Sequence, residues 1–432
     1  MNIPVRKLAP TLIGASSATL DGELQLSFLD RSSTSSHFTD LILVYEAVAG
    51  EPPEDPAELI RTGMTRALVP YYPVAGRIFP SAADGELVVT CSSGGAGGVW
   101  FVEAAAGCSL KDANYLEPPL LISKEQLLPE SSFREEERVT NTFMMQITRF
   151  RCGGVSVGIS FNHILFDGVG AGQFTRAVAD MARGLPVPAV EPIWHRESLD
   201  GKQNYPRKLV SSLKPLPGLE DDVAIDIPQS TVNQIKQQCM TENGRECTTF
   251  QVAAAVLWRC RARAIGGIGE SRLQHHLVFV ADIRRLILKE LPAGGEGYYG
   301  NCIYHMRVSA PQDIVAEAPI TEIVELIGEA KAGVEAKVWR FINGDGEEDP
   351  GKLPVEYGAV YVTDWRGLGF SEVDFGWGKP RSVVPLRDFS CFSLCNLLKP
   401  PPPRDGVRLF GNLVLKEHAD AFLHEVKAFS TS

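Results

Sequence analysis

The sequence predicts an α/β protein of two domains. Its 432 residues exceed what one ordinary hydrophobic core holds and suggest two domains of roughly 200 residues each. Strand-like alternation and helix-like periodicity occur in both halves of the chain. Between them, residues 184–217 carry Pro186, Pro188, Pro192, Pro206, Pro215 and Pro217 with little periodicity, as a crossing linker does. The expected division is a first domain over 1–184, a linker over 185–217 and a second domain over 218–432. No internal repeat is evident.

In chain order, Leu41 to Ala47 reads as a strand and Pro56 to Tyr72 as a helix with Leu59, Met64, Ala67 and Leu68 apolar. Glu86 to Thr90 and Val99 to Glu103 read as paired strands joined by Cys91 to Gly98. That glycine run lacks the Lys-Ser/Thr ending of a phosphate loop and has no helix after it. Leu110 to Arg138 is irregular and ends in the acidic run Glu135, Glu136 and Glu137, read as a solvated stretch. Met144 to Ile147 and Val155 to Ser160 form two strands around Arg151-Cys152-Gly153-Gly154. Phe174, Ala177, Val178 and Met181 then recur at helical spacing.

The second half opens with a strand at Val223 to Ile227 and a helix carrying Val232, Ile235 and Cys239. Thr248 or Thr249 caps a longer helix with Phe250, Ala253, Ala254 and Leu257 on one face. Leu277 to Ala281 and Asn301 to Val308 are strands. Ile320, Ile323, Val324, Ile327, Val334 and Val338 define one long helix. Tyr357 to Thr363, Phe389 to Leu397 and Val407 to Leu415 are strands, and Glu417 to Phe429 is a closing amphipathic helix.

A hydrophobic share of 44% and a charged share of 22% are those of a globular protein. The formal net charge of -11 argues against nucleic acid or an anionic membrane as partner, so an anionic ligand must meet local cations. Nine scattered cysteines include no Cys-x-x-Cys pair, and Cys391 and Cys395 read as small core residues. With no signal peptide, long apolar span or Asn-x-Ser/Thr sequon read in the chain, a reducing cytoplasmic location is expected.

The reactive centre is expected in Ser160 to Gly172, SFNHILFDGVGAG. His163 follows a core strand, Asp167 lies in the turn toward a helix, and Gly168, Gly170 and Gly172 permit a tight turn with close approach of other groups. A neutral imidazole with a pKa near ~6.5 takes a proton from an attacking alcohol or thiol. Asp167 either folds back beneath the ring or binds an arginine and holds the loop. The plainer alternative for His163 is a core histidine satisfied by a backbone carbonyl, against which the Asp and the glycines weigh.

Three other patterns fail on context. Gly154-Val155-Ser156-Val157-Gly158 matches a serine-hydrolase elbow, yet Ile159-Ser160-Phe161 continues the strand where a sharp turn is needed. Gly168-Val169-Gly170-Ala171-Gly172 lacks the last glycine of a dinucleotide fingerprint, since Gln173 stands there. His275 and His276 would face opposite sides of a strand with no further ligand at suitable spacing, so no metal site is expected. For anion binding, Arg259 and Arg263 share a helix face and Thr248 and Thr249 sit at that helix's N-terminus, with Arg366 a further candidate.

The His-x-x-x-Asp-Gly of His163 to Gly168 resembles the signature of the plant BAHD acyl-CoA-dependent acyltransferases. A second signature of that family, Asp-Phe-Gly-Trp-Gly, stands at Asp374, Phe375, Gly376, Trp377 and Gly378. Both in this order, over essentially the whole chain, make the likeness specific. It implies two chloramphenicol-acetyltransferase-like domains with mixed sheets, joined by a long crossover loop, with an active-site channel between them. It implies acyl-CoA as co-substrate with no permanently bound cofactor, a monomer, and direct transfer in a ternary complex with His163 as base. No Cys or Ser beside His163 in the motif suggests a covalent acyl-enzyme.

By resemblance, Thr363-Asp364-Trp365-Arg366 lines the channel, with Thr363 donating to the oxyanion and Trp365 walling the pantetheine arm; packing at a strand end is the alternative. Asp374 is expected to pair with an arginine of Asp282-Ile283-Arg284-Arg285, Arg284 being the candidate, and hold the second domain in shape. Asn301 of Gly300-Asn301 is a candidate for an acceptor hydroxyl. Asn162 departs from the paired histidines of peptide-synthetase condensation domains. Cys152-Gly153-Gly154, Gly168 to Phe174 and Tyr298-Tyr299-Gly300-Asn301 resemble the alcohol, taxane and monolignol branch of the family. Phe101 to Leu110 resembles the grass enzymes that join hydroxycinnamoyl groups to monolignols. An amine acceptor, or a member that binds a metabolite or partner without turnover, is the rival reading.

Overall fold

The structure, a computed structural model, describes residues 3–31, 38–47, 55–93, 97–129, 139–199, 216–219, 222–266, 274–289, 291–343, 354–386 and 391–430. The chain forms two compact units. One comprises Met1–Ser211, Arg284–Cys302 and Gly367–Arg387; the other comprises Ser212–Ile283, Ile303–Arg366 and Asp388–Ser432. Residues 200–215 of the expected linker, the run Glu135, Glu136 and Glu137, and 94–96 of the expected glycine loop lie outside the described residues.

In the first unit, strands β1 (Val5–Lys7), β7 (Val99–Ala106), β8 (Phe143–Arg149), β9 (Val155–Asn162), β4 (Phe38–Tyr45) and β14 (Ser382–Leu386) lie side by side in that order, and β2 (Thr11–Ile13) also pairs with β7. β7 and β8 run parallel and β8, β9 and β4 antiparallel, so the sheet is mixed. Strands β3 (Gly22–Gln25), β6 (Leu87–Cys91) and β5 (Arg77–Pro80) make a smaller sheet. Every residue of β9 is buried, so the polar Ser156 and Ser160 are inside along with Val157, Ile159 and Phe161. Burying each of the large apolar side chains stabilises the strand by about 1.5–3 kcal/mol.

Helix α1 (Pro56–Ala67) starts where Asp55 accepts from Ala57 N at 2.9 Å and Pro56 pre-sets the first turn. Its buried Ala57, Ile60, Met64 and Ala67 form the stripe that packs on helix α3 (Gly168–Ala182). Among its described residues, the expected irregular stretch after Leu110 holds the short helix α2 (Lys124–Leu127) and a turn of 3₁₀ helix over Asn114–Leu116.

In the second unit the sheet order is β10 (Val223–Ile227), β16 (Val407–Asn412), β15 (Ser393–Leu398), β13 (Ala359–Asp364), β11 (Gln274–Asp282) and β12 (Ile303–Pro311). β13 is parallel to both β11 and β15, and the other pairs are antiparallel. Helix α5 (Thr249–Ile265) is the centre of the helical layer. It packs on α4 (Gln229–Asn243), α7 (Gln312–Glu317), α8 (Ile320–Ala332) and α10 (Ala419–Ser430).

Three expectations are corrected. Glu86 to Thr90 and Val99 to Glu103 do not pair: β6 bonds to β3 and β5, and β7 to β1, β2 and β8. Gly98 explains the parting, since its N–H donates to Ala75 O at 2.7 Å and its carbonyl accepts from Arg77 Nη1 at 2.7 Å, so the chain is turned away between the strands. The single long helix expected over Ile320 to Val338 is two, α8 and α9 (Val334–Asn343), parted at Gly333, a poor helix former. The units also do not follow the division at 184 and 218. Segments Arg284–Cys302, including helix α6 (Arg284–Ile287), and Gly367–Arg387 belong to the first unit. There β14 completes the sheet by antiparallel bonds to β4, with Val383 opposite Leu43.

Candidate active site

β9 delivers His163. Its last residue, Asn162, ends the strand: the backbone N–H donates to Thr142 O at 2.8 Å, Nδ2 to Asn141 O at 3.2 Å, and Oδ1 accepts from Ile164 N at 3.1 Å. An Asx turn thus follows the strand, placing His163 at its mouth. The His163 residue is partly exposed, while its ring Nδ1 is buried. Burial pushes the imidazole below its ordinary pKa, while the Asp167 carboxylate, a hydrogen bond involving Asn301 and the Asp30 carboxylate oppose that shift less strongly. The ring is therefore neutral near pH 7, the form that accepts a proton.

Asp167 binds an arginine and holds the turn, the second of the two readings left open for it. Its carboxylate is buried and caps α3 by accepting from Gly170 N at 3.0 Å. It also accepts from Arg284 Nη2 at 2.7 Å and Cys302 N at 3.1 Å. Arg284 in turn donates to Tyr298 O at 3.1 Å and Gly300 O at 2.9 Å. The glycines after Asp167 admit this packing: a Cβ on Gly170 would stand 2.0 Å from Tyr299 O, and one on Gly172 would stand 1.9 Å from Leu368 O.

Arg284 therefore does not pair with Asp374, as the motif reading expected. Asp374 Oδ1 accepts from its own turn, Gly376 N and Gly378 N, each at 2.8 Å. Its carbonyl accepts from Arg183 Nη1 at 2.6 Å, and its Oδ2 lies 3.9 Å from that nitrogen. Gly376 and Gly378 take φ of 117° and 97°, which only glycine adopts readily. Phe375 and Trp377 stack with centroids 5.3 Å apart, both edge-on to Tyr45 at 6.1 and 5.9 Å, and Tyr45 donates from its hydroxyl to Val373 O at 3.1 Å. The motif is an anchor inside the first unit, on the end of β4.

Asn301 is fully buried, so it is not an acceptor-binding group. Its Nδ2 shares donors among His163 O at 2.8 Å, Ile164 O at 3.2 Å and Asp30 Oδ1 at 2.9 Å, and its backbone N–H meets the same Oδ1 at 2.9 Å. Asp30 and Arg196, also buried completely, were not singled out by the sequence. Arg196 Nε donates to Asp30 Oδ2 at 2.7 Å, its Nη2 donates to Leu165 O, and its guanidinium lies 3.8 Å from the Trp194 ring centroid. No local motif marks either residue; the one signal was a charged residue inside an otherwise apolar run, LSFLD.

In the second unit, Thr363 ends β13 and its hydroxyl donates to Asn396 Oδ1 at 2.7 Å while accepting from Trp365 Nε1 at 3.1 Å. Its one proton is committed, so as placed it does not offer an oxyanion donor, and Asn396 is the partner the sequence did not reveal. Arg366 is held by Asp364, Nε to Oδ1 at 2.8 Å and Nη2 to Oδ2 at 2.6 Å. Thr248 is the N-cap of α5 in a capping box with Gln251, and Thr249 is the first helical residue. Arg259 and Arg263 are not with them. They sit near the other end of α5 and face α10: Arg263 donates to Ala316 O at 2.7 Å and pairs with Glu425 at 3.1 Å, and Arg259 lies 5.9 Å from the Phe429 ring. Residues 248 and 259 are roughly 16 Å apart along the helix axis. The cation beside Thr248 is Lys331, with Nζ 3.4 Å from Thr248 Oγ1 and 5.3 Å from the Phe250 ring centroid.

Comparison with known proteins places these geometries in a family. The family model described as Transferase family matches residues 3–414. Acyl transferase 9 of Oryza sativa subsp. japonica is 37% identical over 429 residues, covering 98% of this chain and 97% of its own. Myricetin 3-O-glucosyl 1,2-rhamnoside 6'-O-caffeoyltransferase AT2 of Crocosmia x crocosmiiflora is 39% identical over 450 residues, covering both chains fully. Among solved structures, vinorine synthase superposes with a TM-score of 0.74 at 18% identity, over 99% of this chain and 98% of its own, a likeness of fold. With the two mixed-sheet units and both signature motifs, the chain belongs to the BAHD family of acyl-CoA-dependent acyltransferases, enzymes whose co-substrate is a CoA thioester.

Proposed function

We propose that the protein moves an aromatic acyl group of hydroxycinnamoyl type from a CoA thioester to a hydroxyl of a small plant metabolite. The observation that carries this is His163: half-buried, held neutral by burial, and fixed by hydrogen bonds on the carbonyls of its own turn. The imidazole takes the acceptor's proton as its oxygen attacks the thioester carbon. The C–S bond breaks as the tetrahedral species collapses, and the departing thiolate takes the proton back from the imidazolium. Lys331 and the N-terminus of α5 at Thr248 are the phosphate partners this reading assigns. The caffeoyl group in the Crocosmia relative's name supports the aromatic donor, and the likeness of Phe101 to Leu110 supports a monolignol as the narrowest form of the acceptor. The reading includes a cytoplasmic monomer.

The test is thiol release from a panel of aliphatic and hydroxycinnamoyl CoA thioesters, with monolignols, other alcohols and amines added in turn. The reading expects release dependent on an alcohol, fastest with a hydroxycinnamoyl donor. Release dependent only on amines moves the acceptor class, and no release with any pair favours a non-catalytic member.

A further inference from the structure

The mechanism above uses the His163 ring, but its backbone is held by a second set of groups that share one carboxylate. Asp30 follows β3 in the first unit and is completely buried. Its Oδ1 accepts from the backbone N–H and the Nδ2 of Asn301, and its Oδ2 from Arg196 Nε, Ser27 N at 3.0 Å and Ser27 Oγ at 2.7 Å. Beyond Asp30, Asn301 grips the carbonyls of His163 and Ile164, and Arg196 grips that of Leu165. Consecutive carbonyls of the turn are thus tied through two side chains to a single acid. A buried ion pair is expensive to desolvate and seldom stabilises a fold over apolar packing. Its use here is geometric: donors that carry a turn need an acceptor that cannot rotate away.

We propose that Asp30 is a positioning residue for acyl transfer, acting through Asn301 and Arg196 to set where the His163 backbone sits. This rests on His163 being the base. Replacing Asp30 by Asn keeps the shape but turns one acceptor into a donor facing donors, so either the Arg196 side or the Asn301 side of the clamp opens. A displacement of about an ångström at a base costs on the order of 100-fold in rate while leaving substrate binding sites elsewhere untouched.

The experiment compares wild type, Asp30→Asn, Ser27→Ala and His163→Ala in thiol-release kinetics, with melting curves on each. Ser27→Ala removes one hydrogen bond from Oδ2 and leaves the ion pair, so it reads the clamp even if Asp30→Asn does not fold. Expected is kcat lower by about 10- to 100-fold in Asp30→Asn and a few-fold in Ser27→Ala, with the KM for acyl-CoA within about 2-fold of wild type in both. Full kcat in Ser27→Ala together with full kcat or no folded protein for Asp30→Asn overturns the proposal. So does a loss in which KM rises as far as kcat falls, which marks general architecture. Activity surviving in His163→Ala instead sinks the base itself, a different failure.

Discussion

At the scale of single residues the site separates one ring from the groups that hold it. Burial lowers the His163 pKa, and Asp167 and Asp30 oppose it. Because the neutral form is the base, kcat/KM should rise with pH through a midpoint below the ordinary imidazole value of about 6.5, and then level off. A pH profile with its acid limb centred above 6.5 would contradict the burial argument. Asp167 and Arg284 form a buried pair at 2.7 Å, so removing one partner leaves the other's charge without compensation. Asp167→Ala should cost about 3–5 kcal/mol in denaturant unfolding. A loss of activity with unchanged stability would return Asp167 to the chemistry.

At the scale of elements, the site is a strand, an Asx turn and a helix that begins against other backbone. Gly170→Ala should cost at least about 1–3 kcal/mol, because its Cβ would lie 2.0 Å from Tyr299 O and that backbone is itself held by Arg284 bonds on either side. Wild-type melting behaviour in this variant would mean the turn yields freely. Asp374→Ala should lower the melting temperature, having removed the acceptor of Gly376 and Gly378; an unchanged value would show that the anchor is the aromatic stack alone. The β9–turn–α3 unit was legible because its periods switch from two to 3.6 across Asp167 and the glycines. What faces it was not legible. Asp30 and Arg196 carry no pattern, since a buried polar group is defined by partners far along the chain, and Arg284 was singled out for Asp374 while its carboxylate is Asp167. The same limit explains Arg259 and Arg263, whose helical spacing was read rightly while the face turned out to serve α10.

At the scale of the molecule, two mixed α/β units follow from the length and the alternation of elements, but their composition does not follow the order of the chain. The first unit needs Arg284, Asn301 and β14, which come after the second unit has begun. A fragment of residues 1–217 expressed alone should therefore fail to give a cooperative melt, since it lacks Asn301, which bonds Asp30, Arg284, which pairs with Asp167, and β14, which pairs with β4. A folded fragment would show that those segments are dispensable. Sequence periodicity places boundaries where the pattern lapses, as it does around 184–217, and is blind to a segment that returns. The central claim remains that the His163 imidazole removes the acceptor's proton. Single-turnover thiol release by His163→Ala against wild type tests it most directly: the account predicts a rate lower by about 10²- to 10⁴-fold with acyl-CoA affinity unchanged, and a rate within a few-fold of wild type would contradict it.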